Sequence, residues 1–313
     1  MLVVAAAIAG HQLGRLPGIP AVAARKSLTI DNPYALGGSW FKGNLHIASV
    51  RGVGRDLPSA IGDWYAGRGY DFLGISDQNT YTWASDYGRH GFTGVPTVDA
   101  SYSFADVLAI GIDHWLPASD LQGAVDWIRH DGGLPVLAVP LSQAKPQGLP
   151  SLAGLHGLFG LEVYDARLAA SGPGKGDATA VWDRMLTAGD RVYAFAGDDL
   201  LSLDDPTAGG AWIDVLAPAS DLDSLMSSLR AGAFIASTGP AFVSFTVVGT
   251  TITAEAAPGC SLRFIGRGGR LLKSVAGPSG SFRVTGDEGY VRIEALRDDG
   301  ARAWSQPFFL NRR

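Results

Sequence analysis

From Trp40 to Pro240 the chain alternates short apolar runs with stretches in which apolar residues recur at helical spacing. The short runs predict strands over Gly43 to Ile47, Phe72 to Ser76, Pro96 to Ala100, Val107 to Gly111, Val136 to Val139, Leu161 to Tyr164, Val192 to Ala196 and Ala211 to Leu216. The longer stretches predict helices over Pro58 to Gly67, Asp120 to His130 and Asp221 to Arg230. The first opens with proline, whose missing N–H costs nothing at a helix start. Ser119 precedes the second as its expected N-cap, and Ser220, with Asp223 three residues on, gives the third a start like a capping box. Such alternation is the signature of an α/β fold with a parallel sheet, and the strand spacing suits a barrel.

After Gly239-Pro240 the period changes to two, as in Tyr290-Val291-Arg292-Ile293-Glu294-Ala295-Leu296, with turn residues such as Asp298-Asp299-Gly300 between runs. A small antiparallel domain follows from that pattern, with strands near 241–248, 251–256, 261–266, 271–275, 281–285, 290–296 and 303–310. The expected division is therefore an N-terminal arm over 1–33, an α/β part over 34–240 and a β-domain over 241–313. The arm carries an apolar run, Leu2 to Ala9, shorter than the about 20 residues that span a bilayer, so no transmembrane helix is expected. Ala21-Val22-Ala23 has the small-x-small form of a signal cleavage site, which favours export over a cytoplasmic location. The absence of a basic leader and the intervening His11, Gln12, Arg15, Pro17 and Pro20 fit a plain apolar arm as well.

Composition narrows the function classes. With 313 residues, 46% of them hydrophobic, the chain can bury a substantial core. Twenty-five basic against 30 acidic residues, a net charge of −5 and no basic run leave no electrostatic footprint for nucleic acid or an anionic membrane. Cys260 is the single cysteine, which excludes an internal disulfide and a multi-thiolate zinc site. It has no nearby histidine, and no Gly-x-Ser-x-Gly elbow occurs, so a nucleophilic hydrolase has no support. Ser171-Gly172-Pro173-Gly174-Lys175-Gly176 lacks the spacing and the Ser/Thr of a phosphate loop. His114, His130 and His156 have no ligand spacing to another histidine, and His130 suits the negative end of its helix.

In parallel α/β folds the working groups stand at the carboxyl ends of strands. That filter selects His46, Asp77, Asp99, Glu162 and Asp199. Any one of them alone is more simply a helix cap or a loop ligand for backbone. Five at comparable strand ends point to a shared site.

The segments around them resemble the PHP (polymerase and histidinol phosphatase) metallophosphoesterases. The likeness lies in Gly43-Asn44-Leu45-His46-Ile47-Ala48-Ser49, then Asp56-Leu57-Pro58, then Gly69-Tyr70-Asp71-Phe72-Leu73-Gly74-Ile75-Ser76-Asp77-Gln78-Asn79. It continues in Ala194-Phe195-Ala196-Gly197-Asp198-Asp199 and in the run from Leu229 to Pro240, in preserved order. Tyr290-Val291-Arg292 and Ala303-Trp304-Ser305-Gln306-Pro307 resemble the β-domain of the family's CehA/McbA-like branch. The resemblance implies a distorted (β/α)7 barrel followed by a small sandwich-like β-domain, and a site for up to three divalent metals that activate a hydroxide.

Here the pattern departs from the family. Ala48 stands at the second histidine of the opening pair, Val53 in the following acidic turn, Gln78 after Asp77, Val139 at a His-Pro strand end and Leu201 in the seventh strand's Asp-x-His. Hydrocarbon at such positions offers no lone pair. The residual metal candidates are His46, Asp77, Asp99, Asp106 and Asp199. Activated-hydroxide chemistry needs a metal fixed by several protein ligands. A catalytically inactive binding or scaffold module without cofactor is therefore expected, as a homo-oligomer or an accessory subunit docking through Tyr81-Thr82-Trp83 or Trp115. The alternative is a hydrolase with one divalent cation, Mg²⁺, Mn²⁺, Ca²⁺ or Zn²⁺, on His46, Asp99 and Asp199.

Overall fold

The computed structural model describes residues 28–102, 105–115, 118–138 and 154–312. Val139, Ala21-Val22-Ala23 and the apolar run near the N-terminus lie outside the described residues. In chain order the elements of the α/β part are β1 (Leu28–Asp31), β2 (Ser39–Asn44), α1 (Pro58–Ala66), β3 (Phe72–Leu73), β4 (Thr93–Gly94), β5 (Thr97–Ser101), β6 (Asp106–Ile110) and α2 (Leu121–His130). They continue with β7 (Leu134–Ala138), β8 (Gly160–Asp165), α3 (Ala166–Ala170), α4 (Thr179–Ala188), β9 (Tyr193–Gly197), β10 (Trp212–Ala217), α5 (Leu222–Arg230) and β11 (Phe234–Ser237). The C-terminal strands are β12 (Phe242–Val248), β13 (Thr251–Ala256), β14 (Cys260–Gly266), β15 (Arg270–Val275), β16 (Ser279–Arg283), β17 (Tyr290–Arg297), β18 (Arg302–Ser305) and β19 (Phe308–Arg312).

The three expected helices form, the second and third with their starts moved by one residue. Asp120 caps α2 by accepting from Gly123 N, and Asp221 caps α5 by accepting from Ser224 N, in place of Ser119 and Ser220. A carboxylate at the positive end of a helix adds charge to the cap hydrogen bond, which favours Asp over the preceding Ser. Pro58 takes the first helical position of α1, as expected.

The parallel sheet is a mixed one. β5, β6, β7, β8 and β9 form one sheet in which β5–β6 and β6–β7 run antiparallel and only β7–β8 and β8–β9 parallel. Beyond it, β2–β3–β4 pair in parallel while β10 lies antiparallel to β2 and β11 antiparallel to β10. β5 turns directly into β6, with Tyr102 N donating to Ala105 O, so no crossover helix separates them. Two isolated parallel bridges, Ile47–Leu200 and Gln78–Asp99, link the sheets at the carboxyl ends of β2, β3 and β9. Between the sheets Phe72, Leu108, Val136, Phe195, Ile213 and Phe234 form a shared core. A second apolar layer, with Val125, Ile128, Trp182 and Leu186, seats α2 and α4 on the outer face of the five-stranded sheet.

Period two after Pro240 does give antiparallel strands. β12–β13–β16 form a three-stranded sheet whose Phe245, Ile252 and Ala254 pack with Leu262, Phe264 and Ile293 of the facing sheet. This part is continuous with the rest, since β18 pairs with β11 and β1, inside the expected arm, pairs with β19. A buried ion cluster fixes the same junction. Arg292 of β17, 1% exposed, donates Nε and Nη2 to Asp183 of α4, each at 2.8 Å, and Nη1 to Glu294 at 2.6 Å. Tyr290 Oη adds a bond to Asp183 Oδ1 at 2.8 Å, so the carboxylate's buried lone pairs are satisfied. Among the described residues no helix is long and apolar enough to cross a membrane.

Candidate functional site

At the carboxyl ends of β2, β5, β8 and β9 lies a cavity of about 150 Å³. His46, Asp99, Asp106 and Asp199 line it, and so do Ala48, Val53, Gln78 and Leu201. Asp77 does not. Its fully buried carboxylate accepts from Ser49 N at 2.6 Å, Ser49 Oγ at 2.6 Å and Thr82 Oγ1 at 2.5 Å, which makes it a clamp between two loops. Ser76, Ala138, Asp165 and Arg167 complete the lining. Asp165 and Arg167 were not among the candidates, and Glu162 was noted only as a strand-end carboxylate.

Local backbone chemistry aims His46 into the cavity. Asn44, buried at the end of β2, donates Nδ2 to Ala211 O at 2.9 Å and accepts from His46 N at 3.1 Å, ending the strand pairing there. Gly197 ends β9 beneath the imidazole, where a Cβ would lie 2.6 Å from Glu162 Oε1 and 2.8 Å from His46 Cβ. Only glycine leaves room for that pair. His46 Nδ1 then meets both Glu162 oxygens, at 3.0 and 3.1 Å, while Nε2 stands 3.5 Å from Asp199 Oδ1.

Asp199 has φ 49°, a left-handed conformation that Asp tolerates better than most residues. Arg167 holds it there: Nε donates to Asp199 O at 2.8 Å and Nη2 bonds its carboxylate. Asp198, the other half of the pair, faces away and is structural. It accepts from Tyr65 Oη at 2.5 Å, Gly209 N at 2.8 Å and Ala211 N at 2.9 Å.

The electrostatics follow from burial. Desolvation pulls the His46 imidazole down, but Glu162 and Asp199 outweigh it and hold its pKa well above the ordinary value. The ring is thereby held toward its protonated form by the two acidic side chains beside it. Burial, reinforced by Asp106, raises Asp99 well above the carboxylate range. Burial also raises Asp106, against a hydrogen bond from Ser101. It pushes Asp165 up to about 8, with Glu162 and Asp199 adding to the effect. Asp99 is 3% exposed, and its Oδ1 has no hydrogen-bond partner.

The donor set is sparse for a metal centre: His46 is the one histidine lining the cavity, with Nδ1 engaged by Glu162 and Nε2 facing Asp199. The Asp199 carboxylate is taken by Arg167. No group of three or more His, Cys, Asp or Glu side chains among the described residues is arranged to hold an ion. Two protein cations, His46 and Arg167, supply positive charge within the pocket.

No family is matched by the sequence, and no curated protein matches it either. Among solved structures the fold matches a two-domain protein of Bacteroides vulgatus described as containing a predicted PHP-like metal-dependent phosphoesterase, with TM-score 0.51 and 13% identity. The match covers 92% of this chain and 100% of that one. The fold of this mixed α/β chain is similar to that of the Bacteroides vulgatus protein.

Proposed function

We propose that the protein is a PHP-like pseudoenzyme of the CehA/McbA-like type, whose pocket has exchanged metal ions for protein cations and serves binding instead of hydrolysis. The observation that carries this reading is Arg167, a fixed positive charge bonded to the carboxylate that would otherwise be a ligand. An imidazolium at His46 adds to it, and Ala48, Ala138, Val53 and Leu201 line the same cavity with hydrocarbon. The bridges Ile47–Leu200 and Gln78–Asp99 support reading the two sheets as a distorted barrel, and the C-terminal strands as its appended sandwich. A binding role in a larger assembly follows by analogy with other folds that have kept their shape and lost their chemistry.

The test is metal content and turnover of the full chain produced with manganese, zinc and iron supplied. Substoichiometric metal and no hydrolysis of an aryl phosphodiester are expected. Tightly held metal at one ion per chain, with turnover that His46→Gln and Asp99→Asn both abolish, would establish the one-metal hydrolase instead.

A further inference from the structure

At the amino ends of β7, β8 and β9, the end opposite the His46 pocket, a surface cavity of about 360 Å³ is lined by three arginines and by no acidic side chain. Arg129 stands in the last turn of α2, Arg230 ends α5 and Arg191 leads into β9, so three separate connections bring these charges together. Their convergence runs against the chain's net charge of −5. The turn after α2 gathers two of them: Gly132 N donates to Arg129 O at 3.1 Å, and Arg230 Nη2 donates to Gly132 O at 3.0 Å. Gly157, at φ 82°, lets the Arg129 guanidinium lie against the chain, since a Cβ there would come within 2.5 Å of its Nη1. Arg191 is held by an ion pair with Asp31 and by the Phe309 ring, whose centroid is 4.3 Å from its guanidinium carbon.

Arginine near a helix end commonly answers the last carbonyls, and Arg230 does so with one of its five N–H donors. That role leaves its other donors over, and the Arg129 guanidinium makes no hydrogen bond among the described residues. Neither side chain has a carboxylate partner there, and every Asp and Glu of the chain lies among the described residues. Leu158 and Phe159 supply an apolar wall to the same cavity.

We infer that this cavity binds a phosphate monoester with an apolar or aromatic body, its phosphate between Arg129 and Arg230 and its body on Leu158 and Phe159. Planar guanidinium forks match phosphate oxygens, and a dianion answers two unpaired cations where a carboxylate would answer one. A volume of about 360 Å³ lies within the range of small-molecule sites, about 300–1,000 Å³. The site shares no lining residue with the His46 pocket and does not depend on whether that pocket holds metal.

The test is calorimetric titration of the full chain at low salt with benzylphosphonate, whose P–C bond resists hydrolysis. Saturable one-to-one binding is expected, weakening as sodium chloride is raised because exposed charges are screened beyond about 10 Å at about 0.1 M. Methylphosphonate should bind more weakly and benzyl alcohol not at all. Arg129→Gln and Arg230→Gln should each weaken binding by about fivefold, the worth of one exposed ion pair, and the double variant by about twentyfold or more. Both side chains are exposed, so the variants should keep the fold, which their thermal midpoints check. Arg167→Gln, in the other pocket, should bind as wild type does. No binding by wild type, equal binding of benzyl alcohol, or unweakened binding by the folded single or double variants overturns the inference. Loss of binding in Arg167→Gln with retention in the double variant assigns the anion to the His46 pocket and overturns it as well.

Discussion

Raising the pH from 6 to 8 should destabilise this protein, and Asp165→Asn should remove part of the effect. Asp165 is buried at the end of β8 and its pKa is pushed up to about 8, whereas in the unfolded chain an aspartate titrates near about 3.9. The folded state therefore binds the extra proton throughout the interval between those values. A raised folded pKa contributes stability that is fully present below the unfolded value and lost as pH climbs through the folded one. Each such proton gives a slope of about 1.4 kcal/mol per pH unit, flattening near the folded pKa, so Asp165 alone removes about 2 kcal/mol between pH 6 and 8. His46 acts in the same direction, since its pKa too is raised and its stabilisation fades as the imidazolium deprotonates. Asp198, raised to about 6, has lost most of its share below this window. Asparagine is the informative replacement because Asp165 also caps α3, accepting from Leu168 N at 2.8 Å, and Asn caps equally well without titrating. Urea unfolding at pH 6, 7 and 8 reads the effect directly. A wild-type midpoint that stays level or rises, or an identical slope in the variant, would refute the assignment of a proton to Asp165.

Arg292→Met should cost about 3–5 kcal/mol in urea unfolding, because it leaves Asp183 and Glu294 buried beside no cation at the seam between α4 and β17. Tyr65→Phe should cost about 1–3 kcal/mol by removing one of the donors to fully buried Asp198, with a larger loss at pH 8 than at pH 5, because Asp198 is then ionised. The triple variant Ala48→His, Gln78→His, Leu201→His should gain zinc or manganese binding measurable by calorimetry, since the three positions line one cavity. A folded triple variant that binds neither ion would show that these walls do not converge on a common point.

The strand-end rule recovered much of the pocket because it depends on a property the sequence displays. An apolar run that stops at a polar residue marks where a buried strand meets the open end of the sheet, and His46, Asp99 and Asp199 are all such stops. Asp77 meets the same description and fails for a reason no spacing reveals: Ser49 and Thr82, 28 residues before it and five after, turn their donors on its carboxylate. Asp165 and Arg167 escaped because β8 is irregular. Its register with β9 shifts between Glu162 and Tyr164, so simple alternation misplaces the strand's last residues, and the five-residue helix α3 that carries Arg167 is too short to show a period. The hairpin from β5 to β6 was hidden similarly. Both strands are buried almost throughout, so they read like the parallel strands expected of this fold class.

What was hidden bears on function more than what was legible. On the proposed reading, Ala48, Val53, Gln78 and Leu201 stand where ligands would be, and their substitution alone would leave a cluster of buried carboxyl groups without a cation. Arg167 changes that balance, because a guanidinium cannot be deprotonated in the accessible pH range and bonds Asp199 through both its backbone and its side chain. On the proposed reading, that pair of bonds holds the Asp199 carboxylate in the way a metal otherwise would. Asp99 has no comparable bond: its Oδ1 is buried and has no hydrogen-bond partner. The two carboxyl groups therefore differ: Asp199 is answered by a protein cation, and Asp99 Oδ1 is answered by nothing among the described residues.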